Sequence, residues 1–432
     1  MVSGPAGGMV GNDSFQPVRA EPARRRLAIA LLAALALAAG TTGVVVGAGQ
    51  DDGGDRASRV PPPGRGTPQE RISFLARIVP AAPSRRGGAA APAFPRSVAK
   101  LARRLSVERK VAQLFLFGFQ GTDATAEIFG RLRRLDLGGV VLAAPNYVDT
   151  VQLAALAGEV GAVASEARHV APWVLATQEG GELNSFPDLP PVATPSDTGS
   201  AAEAGDGASQ SAAALRGLGV NGVLGPVVDV GTEAGSVLGA RVYSDDPGEV
   251  ATYAEATVGA YREQHVFSAP KHFPGLGASD QSTEEGPATV GLGLEELSDR
   301  DLIPFEAAVE AGVPGVIVGH ALYSFNDFTV PASLSRQVDT DLLRGRLRFK
   351  GVAITDDLAD PAVTAIHTVP DAAVRALRAG ADMIQISGSV GDQQAAYVAI
   401  LRAVQRRAIP RRRLDQAVGR ILLAKQDYDL IR

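Results

Sequence analysis

Two adjacent carboxylates, Asp356 and Asp357, stand directly after the apolar run Gly351–Ile354 and Thr355. Charges at the end of a buried apolar segment are costly unless they are solvated, hydrogen-bonded or matched by cations. Neighbouring side chains of a strand point to opposite sides. One of the pair can therefore enter a site beyond the strand end, while the other, Asp357, is free to cap the next helix. Cations that could match the first stand elsewhere in the chain, at Lys271, His272 and Arg241. A carboxylate flanked by these three has its pKa lowered and stays ionised, as the carboxylate nucleophile of a glycosidase does. Lysine and imidazole are also good donors to vicinal sugar hydroxyls. The plainer alternatives are a strand-end salt bridge for Lys271 and His272, and a surface helix entry for Arg241.

The Lys-His pair opens the stretch KHFPGLGASDQSTEEGP, residues 271–287, where Pro274, Gly275 and Gly277 punctuate the chain into a loop. Asp280, Glu284 and Glu285 load that loop with carboxylates. One of them can act as acid or base, or all three can simply solubilise the loop tip. The chain has no cysteine, which removes disulfides, thiolate metal sites and a cysteine nucleophile together. His169, His265, His272, His320 and His367 show no paired metal-ligand spacing, so neither a metal nor a cofactor is expected. A net charge of −5 leaves no footprint for nucleic acid.

The elements that must position these residues follow from the hydrophobic pattern after residue 95. Short apolar runs lie at 111–119, 138–145, 172–178, 220–230, 267–273, 315–320, 351–357 and 381–388. Several are continuous Val/Ile/Leu/Ala runs, as strands covered on both faces require. Stretches long enough for helices separate them, among them 149–168, 248–265 and 369–379. Before Gly315 the main helix is expected to begin near Pro304, with Ser298-Asp299-Arg300-Asp301 leading into it. Strands alternating with helices predict an α/β fold of the (β/α)8 TIM-barrel type, with an open doubly wound sheet as the alternative. No G-x-G-x-x-G follows the first strand, which favours the barrel. The strand ends then gather Thr177-Gln178-Glu179, Asp229, Lys271-His272, His320 and Asp356-Asp357 at one rim, where barrels place their chemistry.

Residues before 96 have another character. Arg24, Arg25 and Arg26 precede an uncharged stretch from Leu27 to Gly49, and Asp51, Asp52 and Asp55 follow it. At about 1.5 Å per residue that stretch can cross a hydrocarbon core of about 30 Å. The charge order predicts a cytoplasmic tail at 1–26, a single-pass anchor at 27–49 and the bulk of the chain outside the cytoplasm. A cleaved signal ending near Ala36-Leu37-Ala38 would give a secreted protein instead. The Pro/Gly/Ala-rich segment 50–95 reads as a disordered linker, and 96–432 as the barrel.

From about 98 to 428 the chain resembles the single-domain bacterial β-N-acetylglucosaminidase (β-hexosaminidase) branch of glycoside hydrolase family 3. KVAQLFLFGF (110–119), QEGG (178–181), GARVYSDDP (239–247), KHFPG (271–275), GVAITDDL (351–358) and AGADMI (379–384) look like that family's elements in the family's order. The resemblance implies retaining hydrolysis of a β-linked amino sugar of cell-wall material, through a glycosyl-enzyme intermediate on Asp356. It likewise implies substrate binding by Arg241, Lys271, His272 and, in QEGG, Glu179.

The family departs from this chain in two places. Its loop reads Lys-His-Phe-Pro-Gly-His-Gly and then Asp-Ser/Thr-His, the Asp-His dyad serving as acid/base. Here Leu276 replaces the first of those histidines, Ser282-Thr283-Glu284 falls over Asp-Ser-His, and no histidine occurs in 273–319. Glu284 is then the expected acid/base, with Asp280 and Glu285 as rivals. The family's Asp-Gln-Glu-Gly-Gly-Arg is Thr177 to Glu182 here, which removes one hydroxyl clasp and reverses one charge. The competing functions are an inactive barrel of the same fold that binds glycan or a partner, and a phosphorylase.

Overall fold

A computed structural model describes residues 94–232 and 235–431. The expected tail (1–26), anchor (27–49) and nearly all of the linker (50–95) lie outside the described residues. No helix among the described residues is long and apolar enough to cross a membrane.

Among the described residues ten strands follow in chain order: β1 (Phe115–Gly118), β2 (Gly139–Leu142), β3 (Trp173–Ala176), β4 (Gly222–Val223), β5 (Phe267–Ser268), β6 (Thr289–Val290), β7 (Gly315–Val318), β8 (Leu322–Tyr323), β9 (Val352–Thr355) and β10 (Ile384–Ile386). A parallel sheet runs β10-β1-β2-β3-β4-β5, and β7 pairs in parallel with β9. Parallel bridges close the gaps: Val227 with Lys271, Phe273 with Val318, and Ile354 with Met383. The result is a ring of eight parallel strands, each followed by helical or looped chain, as the alternation predicts. Strands β6 and β8 form a separate pair within the loops.

The strands form because their residues satisfy burial on both faces. Every residue of β1, β2, β3, β7 and β9 is buried. Around β4 the approach is tighter: a Cβ on Gly222 would lie 2.6 Å from Leu175 Cδ2 and 2.9 Å from Phe267 Cβ. Only glycine lets β3, β4 and β5 close up there. Strand β4 is also short, because Gly225 and Pro226 interrupt it before Val227 resumes pairing with Lys271.

The helices start where side chains can satisfy their free N–H groups. Asp149 accepts from the Gln152 N–H at 2.7 Å ahead of the helix Thr150–Glu166, and Asp246 from the Glu249 N–H at 2.7 Å ahead of Pro247–Glu263. The region before β7 differs from expectation. Leu294–Asp299 is already a helix, and a second runs Leu302–Glu310 with Pro304 in its first turn, where its missing N–H costs nothing. Ser298 and Asp299 therefore end one helix rather than lead into the next. Beneath the ring, Asp382 just before β10 is fully buried and accepts from Arg344 at 2.6 Å, Arg413 at 3.1 Å and Arg420 at 3.0 Å.

Candidate active site

Asp356 leaves the end of β9 with its N–H donating to the Val318 carbonyl at 2.9 Å, so the neighbouring strand β7 fixes its position. His272 Nε2 stands 3.7 Å from its carboxylate. That imidazole is itself held, because Nδ1 lies 2.7 Å from Asp229 Oδ2, which also accepts the His272 N–H at 3.1 Å. The other Asp229 oxygen accepts the Leu276 N–H at 2.6 Å, tying the start of the loop to the same buried carboxylate. Gly277 then passes against β4's extension, where any Cβ would run into the Val230 carbonyl. The glycines read as loop breakers are here the residues that let the loop lie close to the barrel wall.

Glu179 organises the cations. It receives Arg241 through Nε at 2.6 Å and Nη2 at 2.8 Å, and Lys271 Nζ at 2.6 Å. Burial works against its ionised form, but Lys271 and Arg241 outweigh burial and hold its carboxyl well below the usual carboxylate range. Burial disfavours the Arg241 charge in the same way, and Glu179 more than compensates, pushing the guanidinium above its ordinary value. A bidentate guanidinium–carboxylate pair is both strong and directional. Lysine and arginine keep further N–H groups free for a ligand.

Asp356 shows the same contest. Burial raises its pKa, yet His272 first, with Lys271 and Arg241 behind it, brings it below the ordinary value, so the carboxylate is ionised. His320, fully buried, has its pKa lowered by burial and is neutral. Its Nε2 faces the Asp357 carbonyl at 2.9 Å and must carry the hydrogen, leaving Nδ1 to accept from the Ser333 hydroxyl at 2.7 Å. Asp357 does not cap a helix. Its carboxylate accepts from Ala359 N–H at 2.9 Å and from Ser387 N–H at 3.0 Å, which fastens the turn to the chain after β10.

A cavity of about 200 Å³ collects the sequence-nominated residues Glu179, Arg241, Lys271, His272, Glu284 and Asp356 at one place. Glu284 lies at the mouth, its side chain 71% exposed and 3.8 Å from Arg241 Nη1. The rivals are not there. Asp280 turns away to accept from the Thr289 N–H and hydroxyl, both at 2.7 Å, and Glu285 is exposed outside the cavity. Thr177 lines the cavity, whereas Glu182 is exposed away from it. Its reversed charge therefore does not face the pocket.

Asp360 is the residue the sequence reading missed. It lines the same cavity, and burial, then Asp356, Asp357 and Glu284, push its carboxyl up to about 9 against the opposing pull of Lys271. Its place before Pro361 looks like an ordinary helix start, which hides it in the sequence. A larger cavity of about 410 Å³ adjoins Glu179 from the side of the helices Ala201–Gly217 and Pro247–Glu263. Lys271, His272 and Asp356 do not line it; they line the smaller one.

The N-terminal domain of glycosyl hydrolase family 3 matches residues 106–424. A β-hexosaminidase of Stenotrophomonas maltophilia is 30% identical over 320 residues, 71% of this chain and 91% of that protein. Among solved structures, a glycoside hydrolase family 3 β-N-acetylglucosaminidase from Paenibacillus is 32% identical with a TM-score of 0.73, covering 76% of this chain and 63% of that one. A β-N-acetylhexosaminidase from Beutenbergia cavernae is 29% identical with a TM-score of 0.68, covering 74% of this chain and 99% of that one.

Proposed function

The chain belongs to glycosyl hydrolase family 3, and on that premise we propose that it is a retaining β-glycosidase acting on β-N-acetylglucosaminides. The observation that carries this reading is the ionised Asp356 carboxylate, kept so by His272, Lys271 and Arg241 at one wall of a sugar-sized cavity. An Asp356 oxygen attacks the anomeric carbon while the bond to the leaving oxygen breaks, giving a glycosyl ester that water later cleaves. Arg241 and Lys271, held rigid on Glu179, present their remaining N–H groups to the sugar hydroxyls. This orientation reduces the entropy lost in reaching the transition state. The leaving oxygen also needs a proton, and besides the Asp356–Asp357 pair and Glu179, which is taken up by Arg241 and Lys271, the cavity offers two carboxyls for it, Glu284 and Asp360. The names of the relatives support the amino sugar.

A panel of dinitrophenyl β-glycosides, the N-acetylglucosaminide among them, tests this reading. Aryl release that selects the amino sugar, with Asp356 labelled by the 5-fluoro analogue that keeps the acetamido group, is the expected result. A panel without release from any sugar overturns it and leaves the second reading, a glycan-binding barrel without turnover. That second reading is favoured by the absence of histidine throughout 273–319. Export through the segment 27–49 is part of the proposal on its charge pattern alone. Recovery of the full chain from the membrane fraction, with the barrel open to external protease, checks it.

A further inference from the structure

Two carboxyls at the cavity could hold the proton for the leaving group, and their surroundings differ in sign. Glu284 is mostly exposed, with the Arg241 guanidinium 3.8 Å away. Asp360 faces Asp356, Asp357 and Glu284 across the cavity, with Lys271 the opposing cation there and Arg241 and His272 on the lining.

The backbone of Asp360 is fixed while its side chain is unused. Its N–H donates to the Asp357 carbonyl at 3.0 Å, and its own carbonyl accepts from Val363 and Thr364 at 2.9 Å each. It stands at the position before the short helix Pro361–Thr364, yet its carboxyl accepts no N–H of that helix. An aspartate at a helix start normally spends its carboxyl on such a bond. This one is turned to the cavity instead. The Thr283 carbonyl accepts the Ala362 N–H at 3.1 Å, so the loop carrying Glu284 is docked onto the same turn and brings its charge beside Asp360.

We propose that Asp360 is the acid/base of this site, in place of a residue on the 271–287 loop. The assignment rests on the reading of Asp356 as nucleophile. In the first step the Asp360 O–H gives its proton to the glycosidic oxygen. The C1–O bond breaks with its electron pair going to that oxygen, and an Asp356 oxygen bonds to C1. In the second step the Asp360 carboxylate takes a proton from water, whose oxygen bonds to C1 as the ester bond to Asp356 breaks. Both carboxyls return to their starting states. The carboxylates around Asp360, together with burial, keep the acid protonated until it is needed, and Glu284 becomes a contributor to that field.

The test uses the full-length protein and its Asp360→Ala, Glu284→Ala and Asp356→Asn variants, with aryl glycosides of the sugar selected by the panel. A dinitrophenolate leaves without a proton, whereas a simple phenolate needs one. Asp360→Ala is expected to retain the dinitrophenolate burst and to lose phenyl glycoside hydrolysis by about 10²–10⁴-fold. Azide should restore its steady turnover as the β-glycosyl azide. The alkaline limb of kcat/KM for phenyl glycosides should disappear, whereas Glu284→Ala should keep that limb, displaced to lower pH, and show no azide rescue. Azide rescue in Glu284→Ala with Asp360→Ala unaffected overturns the assignment. An equal loss for both leaving groups in Asp360→Ala, the mark of a structural role, also overturns it. A wild-type protein without any burst, or a burst that survives Asp356→Asn, instead removes the nucleophile reading on which this proposal stands.

Discussion

At the scale of single residues the site depends on one carboxylate holding two cations. Glu179 is buried and takes three N–H donors from Arg241 and Lys271. Glu179→Ala leaves both cations without a partner, and breaking such a buried cluster costs about 3 kcal/mol or more. We expect a lower unfolding midpoint in denaturant and a fall in kcat/KM of about a hundredfold, since each 1.4 kcal/mol is a factor of ten. Asp356→Asn should instead leave stability nearly unchanged while turnover falls by about 10⁶-fold, the order seen when a nucleophile is removed. The two variants separate positioning from chemistry. Asp356, Lys271 and His272 were legible in the sequence because strand ends mark them, and Arg241 only through the resemblance of GARVYSDDP to the family's element. Asp360 was not, because its carboxyl acquires its character from Asp356, Asp357 and Glu284, whose proximity depends on the folded turn.

At the scale of elements the buried cluster before β10 carries the largest consequence. Asp382 is fully buried, and burial alone would raise its pKa, but Arg344, Arg420 and Arg413 bring it below the ordinary value. Asp382→Ala leaves three arginines facing one another and should cost about 3–5 kcal/mol in urea unfolding. The folded carboxyl has the lower pKa, so its stabilisation is present above the unfolded carboxylate range and is lost as pH falls below it. The stabilities of the wild type and Asp382→Ala should therefore converge in acid. At β4, Gly222→Ala inserts a methyl between Leu175 and Phe267 and should destabilise by about 1–3 kcal/mol. The helices within 149–168, 248–265 and 369–379 were legible from the length of those stretches between strands. Of the two helices before β7, the one containing Pro304 was legible too, whereas Leu294–Asp299 was not, because it is brief and its polar end reads as a lead-in to the next.

At the scale of the molecule, stability should carry an alkaline signature from Lys425. This lysine is fully buried, bonded to Gln113 Oε1 at 2.9 Å, and burial pushes its pKa down from 10.5 to about 7 despite Asp136. The unfolded chain binds a proton there that the folded chain does not, so this cost shrinks as pH rises from about 7 towards 10.5. Lys425→Met should remove that slope, read as unfolding free energy against pH. Asp360 works the opposite way, losing its contribution as pH rises from the ordinary carboxylate range through about 9. The Asp360→Asn variant should isolate that second slope.

The amino-acid sequence by itself determined the alternation of buried strands and amphipathic helices, and with it the ring whose rim gathers polar strand ends. Periodicity and composition are local properties, and a chain displays them without folding. Only the tertiary structure decided which carboxylates are paired and which are not. It put Asp357 to work on Ser387, turned Asp280 towards Thr289, joined Glu179 to two cations, and left the Asp360 carboxyl without a bond to its helix. Those choices depend on desolvation and on charges brought together from distant segments, and such distances do not exist until the barrel closes.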